Sequence, residues 1–243
     1  MKAKSYFAVS RAPRYSVLFA LPLLIAYEAL AAGLSGVHGG TLRNGADVMF
    51  RSMFTAVVGR NGSLVFIAVV ILVGIWFVSR DLKRSGGSLQ PPVFLAMLFE
   101  SVILALAFGI VVSTLTVHIL GAMHLLAIGE MAEAGWATRL MLSLGAGLYE
   151  ELFFRVLLVS ALAAGARAWL GLSTRMAAVL ATVVGAVIFS AFHYVGPYGD
   201  PFQLQSFAFR TISGVAFSAL YLARGFGITA WTHALYDVFL LLF

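Results

Sequence analysis

The chain has 243 residues, 61% of them hydrophobic and only 11% charged, with a formal net charge of +6. A soluble domain averages about 25% charged residues, so this composition excludes an ordinary water-soluble protein and points to a polytopic helical membrane protein. The basic residues stand singly between apolar runs, which argues against a nucleic-acid partner, and the absence of cysteine excludes disulfides, thiolate nucleophiles and cysteine-ligated zinc.

Lys2, Lys4, Arg11 and Arg14 precede an apolar run from about Tyr15 to Leu34. A basic start, an apolar run and Ala29-Leu30-Ala31 are also the marks of a cleaved signal peptide. Pro22, Tyr27 and Glu28 interrupt the run and many spans follow, so it is read as the first span, with Glu28 at the interface or facing the bundle. From Thr41 to Arg60, Leu42, Met49, Met53, Phe54 and Val57 share one helical face, with Arg43, Asp47, Arg51 and Arg60 largely off it. That pattern predicts an amphipathic helix lying in the membrane interface.

The second span is expected from about Leu64 to Val78, stopped by Arg80-Asp81-Leu82-Lys83-Arg84. Ser85-Gly86-Gly87-Ser88 followed by Pro91-Pro92 forms a linker. A third span, about Val93 to Leu120, carries Glu100 and His118, and a mildly polar connection with Glu130 and Glu133 follows. The fourth is the apolar run from Leu140 to Ala164. Ser173-Thr174 is placed to cap the fifth, about Met176 to His193. Val195 to Pro201 is a loop on glycine and proline grounds. Span six runs from about Phe207 to Ala223 and span seven from about Ile228 to the end.

The short loops give an orientation. Ten Lys and Arg residues gather on the N-terminal side against Arg43, Arg51, Arg60, Arg139 and Arg210 on the other. The excess predicts a cytoplasmic N-terminus in an inner (plasma) membrane. The domain reading is one membrane domain, with N-terminal spans, interfacial helix and linker over 1–139 and a catalytic core over 140–243.

Three polar clusters stand out in the last hundred residues. Tyr149-Glu150-Glu151-Leu152-Phe153-Phe154-Arg155 places three ionisable groups in an apolar run. Unpaired at a bilayer centre they would cost about 8–10 kcal/mol together, so they need partners or a function. Glu151 and Arg155 are four apart and pair on one helix face; Glu150 is rotated by about 100° and has no such partner. The second cluster is Phe189-Ser190-Ala191-Phe192-His193. The third is His233-Ala234-Leu235-Tyr236-Asp237, in which Asp237 shares a helix face with His233 and can accept from an imidazole N–H or sit beside the same substrate atom.

One carboxylate and two imidazoles suffice for amide hydrolysis: Glu150 takes a proton from water, and a histidine polarises the carbonyl or holds the oxyanion. The same Glu150, His193 and His233 are also a candidate set for a divalent metal such as zinc. His38, His118 and His124 read as interface residues. Gly33-Leu34-Ser35-Gly36 matches the Gly-x-Ser-Gly of rhomboid proteases but sits at the end of the first span. Gly199-Asp200 is similar to the aspartyl intramembrane protease motif, but position 197 is proline. Both are set aside, and no zincin helix motif is present.

The ordered set of Glu-Glu-x-x-x-Arg, Phe-x-x-x-His and His-x-x-x-Asp resembles the CPBP family, the CAAX prenyl endopeptidases and bacteriocin-processing enzymes also called the Abi family. The resemblance covers roughly Leu140 to Phe243, and Tyr221-Leu222-Ala223-Arg224-Gly225 looks family-like too. It implies an intramembrane endopeptidase with Glu150 as base, His193 and His233 as partners and Asp237 within the family pattern. Glu151, Arg155 and Phe189 then support the site. An ionised aspartate at 237 accepts hydrogen bonds and does not donate an oxyanion contact. The family includes members described as metal-dependent and as metal-independent. The implied substrate is a membrane-associated peptide or protein. Alternatives of other classes are a non-catalytic membrane scaffold, such as a bacteriocin immunity factor or partner of another membrane enzyme, and an ion-coupled carrier. Two visible halves would be needed for the carrier, and none is present.

One expectation is in tension with the rest. His193 ends span five, His233 begins span seven, and the two spans are parallel. Straight helices would then separate the imidazoles by roughly 15 Å in depth. Convergence of Glu150, His193 and His233 is nevertheless predicted.

Overall fold

In lipid, each backbone N–H and C=O has to be satisfied within its own segment, which favours helices. The computed structural model describes residues 5–35, 42–85, 88–120, 135–196 and 199–242, and every regular element among them is helical. After the short α1 (Tyr6–Ser10) come α2 (Pro13–Leu34) and α3 (Gly45–Val58). A 3-10 turn, Gly59–Asn61, joins α3 to α4 (Gly62–Ser85), and α5 (Pro91–Leu120) follows. α6 (Trp136–Gly145), a π-helical stretch (Ala146–Val159) and α7 (Ser160–Leu170) run on without a break. The chain ends in α8 (Thr174–Phe192), α9 (Leu204–Arg224) and α10 (Phe226–Leu242).

Six helical stretches are long and apolar enough to cross a bilayer: α2, α3 with α4, α5, α6 through α7, α8 and α9. α10 is apolar but has 17 residues, a reach of about 26 Å at 1.5 Å per residue. The fold is therefore a polytopic all-helical bundle. Leu64, Leu72, Leu95, Phe99, Ile110 and Val179 point outward, as residues facing lipid do. α10 is central, packing against α2, α5 and the π stretch. Around it Phe108 stacks on Phe217 at 4.0 Å between centroids, and Trp231 packs on Phe19 at 5.4 Å.

One helix end differs from the sequence reading, and the orientation of α3 could not be read from it. The second span does not stop at Arg80: α4 continues to Ser85, because Arg14 of α2 reaches the Asp81 carboxylate at 2.8 Å and the Ser85 hydroxyl at 2.6 Å. α3 has the two expected faces, and its polar face looks into the protein. Asp47 is fully buried while Val57 is 85% exposed. The polar face looks into the protein because partners wait there. Glu28 and Tyr149 lie on the neighbouring elements, and Asp47 accepts from Tyr27 at 2.8 Å, Arg43 at 2.8 Å and Arg51 at 2.6 Å. Opposite charges satisfied in this way cost far less inside the bundle than against lipid.

The N-terminal end of the bundle has its own clasp. Arg224 at the end of α9 donates to both oxygens of Glu100, at 2.5 and 2.8 Å, and Tyr6 donates to Glu100 at 2.6 Å. Burial, and then the Glu100 carboxylate, push the Tyr6 phenol above its ordinary range, so it remains a donor.

Candidate active site

Two glycines set how closely the π stretch meets its neighbours. A Cβ at Gly147 would lie 2.4 Å from the Ala230 carbonyl oxygen and 2.7 Å from the Ala234 Cβ, both on α10. At Gly145 it would meet the Tyr27 ring at 2.5 Å and the Asn44 Cβ at 2.8 Å. The missing side chains bring the backbone against α10 on one side and against α2 and the start of α3 on the other. The winding between is wider than an α-helix, with i→i+5 bonding of a kind that is rare and frequent at functional sites. All six residues from Ala146 to Glu151 are buried, so polar groups on successive positions need partners in different directions.

Glu150 finds its partners on other helices. Its Oε1 accepts from Asn44 Nδ2 at 2.8 Å, and its Oε2 lies 4.0 Å from His193 Nε2. His193 caps the end of α8, and its Nδ1 is 2.9 Å from the Phe189 carbonyl. A carbonyl only accepts, so Nδ1 carries the proton, and in its neutral form His193 turns a bare Nε2 lone pair toward Glu150. Two acceptors facing each other across 4.0 Å are spaced for a bridging water that donates to both.

Glu151 faces another way. Its Oε1 accepts from His233 Nδ1 at 2.7 Å and lies 3.2 Å from Arg155 Nη1. Asp237 Oδ2 is 3.7 Å from His233 Nε2. The expected Glu151–Arg155 pair is present and carries a histidine as well. Arg155 is 1% exposed and sandwiched between aromatic faces, its guanidinium carbon 4.4 Å from the Phe189 centroid and 5.5 Å from that of Phe217. A desolvated contact of this type is worth about 2 kcal/mol.

Phe189 joins the two halves, its ring 5.0 Å from that of His193 and 6.5 Å from that of His233. His233 sits near the middle of the short α10 and not at the start of a full-length span, which lessens the depth difference expected between it and His193.

The other polar candidates lie elsewhere. His118 is exposed and bonds the Thr114 carbonyl of its own helix at 2.9 Å. Asp200 pairs with Arg210, and the Ser35 hydroxyl bonds the Ala32 carbonyl at 2.7 Å. His38, His124, Glu130 and Glu133 lie outside the described residues.

Sequence reasoning missed Asn44, Phe217 and the Glu28 network. Asn44 directly precedes a helix, where asparagine is a favoured cap. That position signals a helix start but not a contact 106 residues away. Phe217 stacks on His233 at 4.3 Å, and Glu28 accepts from Arg43, Arg51 and Tyr149. A zinc ion held by Glu150, His193 and His233 would need the three to converge on one point. Among the described residues no three His, Asp or Glu side chains do so. His233 is turned toward Glu151 and Asp237, and Glu150 gives one oxygen to Asn44. As placed, these residues do not fit the ion.

Comparison with known proteins gives one positive finding: residues 132–239 match a family model described as type II CAAX prenyl endopeptidase Rce1-like. No curated protein matches the chain, and no solved structure does.

Proposed function

We propose, starting from the match of residues 132–239 to the family model described as type II CAAX prenyl endopeptidase Rce1-like, that this protein hydrolyses a peptide bond by means of a water activated by Glu150. The observation that carries the reading is the facing pair of acceptors, Glu150 Oε2 and His193 Nε2, 4.0 Å apart. A water held there gives one proton to Glu150 as its oxygen attacks the scissile carbonyl carbon. The carbonyl π electrons move to oxygen, and the oxyanion develops toward His233 Nε2, whose proton it takes as a hydrogen bond. Glu151 on Nδ1 fixes the ring and balances an imidazolium, while Asp237 steadies Nε2–H from the other side. On collapse the C–N bond breaks and the proton held by Glu150 passes to the leaving amine. The products are a carboxylic acid, which keeps the second proton of the water until it ionises, and an amine. No step requires a metal.

The substrate of such a family is a membrane-associated peptide or protein. A prokaryotic inner membrane with a cytoplasmic N-terminus remains our assignment of location. Arg14, Arg43, Arg51, Arg210 and Arg224 are all ion-paired within the protein, and setting them aside preserves the basic excess on the N-terminal side. The test is a comparison of membrane-protein termini in cells carrying the wild-type chain or Glu150→Gln. The reading expects a set of new termini that appears with the wild type and vanishes with the variant. Identical sets of termini would overturn it.

A further inference from the structure

The N-terminal half of the chain lies outside the family match, yet it supplies the shortest contact to Glu150. Asn44 is 7% exposed and uses three groups at once. Its Oδ1 accepts from the Ala46 backbone N–H at 2.9 Å, capping α3. Its own backbone N–H donates to the Tyr27 hydroxyl at 3.1 Å. Its Nδ2 donates to Glu150 Oε1 at 2.8 Å. The cap settles the amide orientation: only the carbonyl oxygen can accept from a backbone N–H, so the NH2 end must face Glu150.

This donor is also held rigidly. Arg43, next to Asn44, donates to Glu28 at 3.1 Å and to Asp47 at 2.8 Å. Arg51, further along α3, donates to Asp47 at 2.6 Å, and Tyr149 beside Glu150 donates to Glu28 at 2.9 Å. Two arginines and two carboxylates thus balance in charge and tie the start of α3 to α2 and to the π stretch. An isolated cap would need none of this.

We infer that Asn44 is a positioning residue for Glu150, holding Oε1 so that Oε2 faces His193 and the attacking water. The inference rests on the reading of Glu150 as the base. Fixing one carboxylate oxygen leaves one direction for proton transfer, where a free carboxylate would rotate among several. A hydrogen bond to a charged group of this kind corresponds to about 10- to 100-fold in rate. The N-terminal helices are then part of the catalytic device and do more than anchor it.

The experiment uses the full-length protein in lipid vesicles with a peptide bearing a bond identified by the terminal comparison. Glu150→Gln, Asn44→Ser and Asn44→Asp are assayed for kcat, KM and thermal unfolding. Serine and aspartate both keep an oxygen to cap α3. Serine lacks the reach and the NH2 donor, and aspartate sets a second carboxylate against Glu150. The expected result is a kcat about 10- to 100-fold lower in Asn44→Ser, with KM within error of wild type, and a larger loss in Asn44→Asp. If Asn44→Ser is also less stable, Asn44→Asp decides the matter. Either folded variant turning over at the wild-type kcat, with Glu150→Gln inactive, overturns the role of Asn44 and leaves the base in place. An active Glu150→Gln removes the base and this inference with it.

Discussion

Glu150→Gln lowers turnover roughly 100- to 10,000-fold, the span general-base catalysis contributes, and leaves the protein inserted and folded. Both halves of this expectation come from the geometry. Glutamine has the same shape and still offers Asn44 an oxygen, so the contact at 2.8 Å survives. What is lost is the ability of Oε2 to take a proton from water beside His193. His193→Ala removes the other acceptor and should fall in the same range, because the water loses one of its two anchors. Turnover in vesicles and thermal unfolding in detergent check the two halves separately. Wild-type turnover by either variant would mean that the 4.0 Å gap between Glu150 and His193 is not where the chemistry occurs.

The second large effect falls on the neighbouring residue and is of another kind. Glu151 is fully buried between Arg155 and His233. Glu151→Ala leaves a guanidinium in the interior without its counter-charge, and breaking a buried pair from one side costs about 3–5 kcal/mol. The unfolding midpoint should therefore drop sharply, unlike that of Glu150→Gln. The double variant Glu151→Leu with Arg155→Met replaces the whole pair by apolar groups of similar volume, a change that is often neutral for stability. It should recover the midpoint but not the activity, because His233 Nδ1 has lost the acceptor that sets its tautomer and orientation. Recovery of both would reduce Glu151 to a packing role. Adjacent glutamates would thus be told apart by stability alone, before any substrate is known.

The fold class was legible because lipid imposes a compositional signature that soluble domains do not share. The helix positions followed from apolar runs broken by glycine, proline and charge. Which face of α3 looks inward was not legible. Periodicity separates Asp47 from Val57, but it does not say whether the polar side meets water or partners, and here Tyr27, Glu28 and Tyr149 from distant segments decide it. The π winding was equally hidden, since the residues of Ala146–Val159 would suit an α-helix. Glu150 and Glu151, adjacent in sequence, reach two different histidines, as neighbouring positions on any helix point in different directions. The internal Glu151–Arg155 pair was readable from spacing four. Its second partner, His233, was not, because that contact depends on Gly147 letting α10 approach. Asn44 carried a local signal as a cap and no signal of its contact with Glu150. Local chemistry is written locally, and the convergence of clusters depends on helix packing that one sequence does not record.

Direct attack by water on the scissile carbonyl is the central claim, and a single turnover in ¹⁸O-labelled water tests it most directly. With enzyme in excess over a cleavable peptide, the water oxygen should enter the new C-terminal carboxylate, and the Glu150 side chain should stay unlabelled. Label in Glu150 with an unlabelled product would instead mean that the carboxylate attacks the carbonyl and forms an anhydride, which would contradict its role as a base.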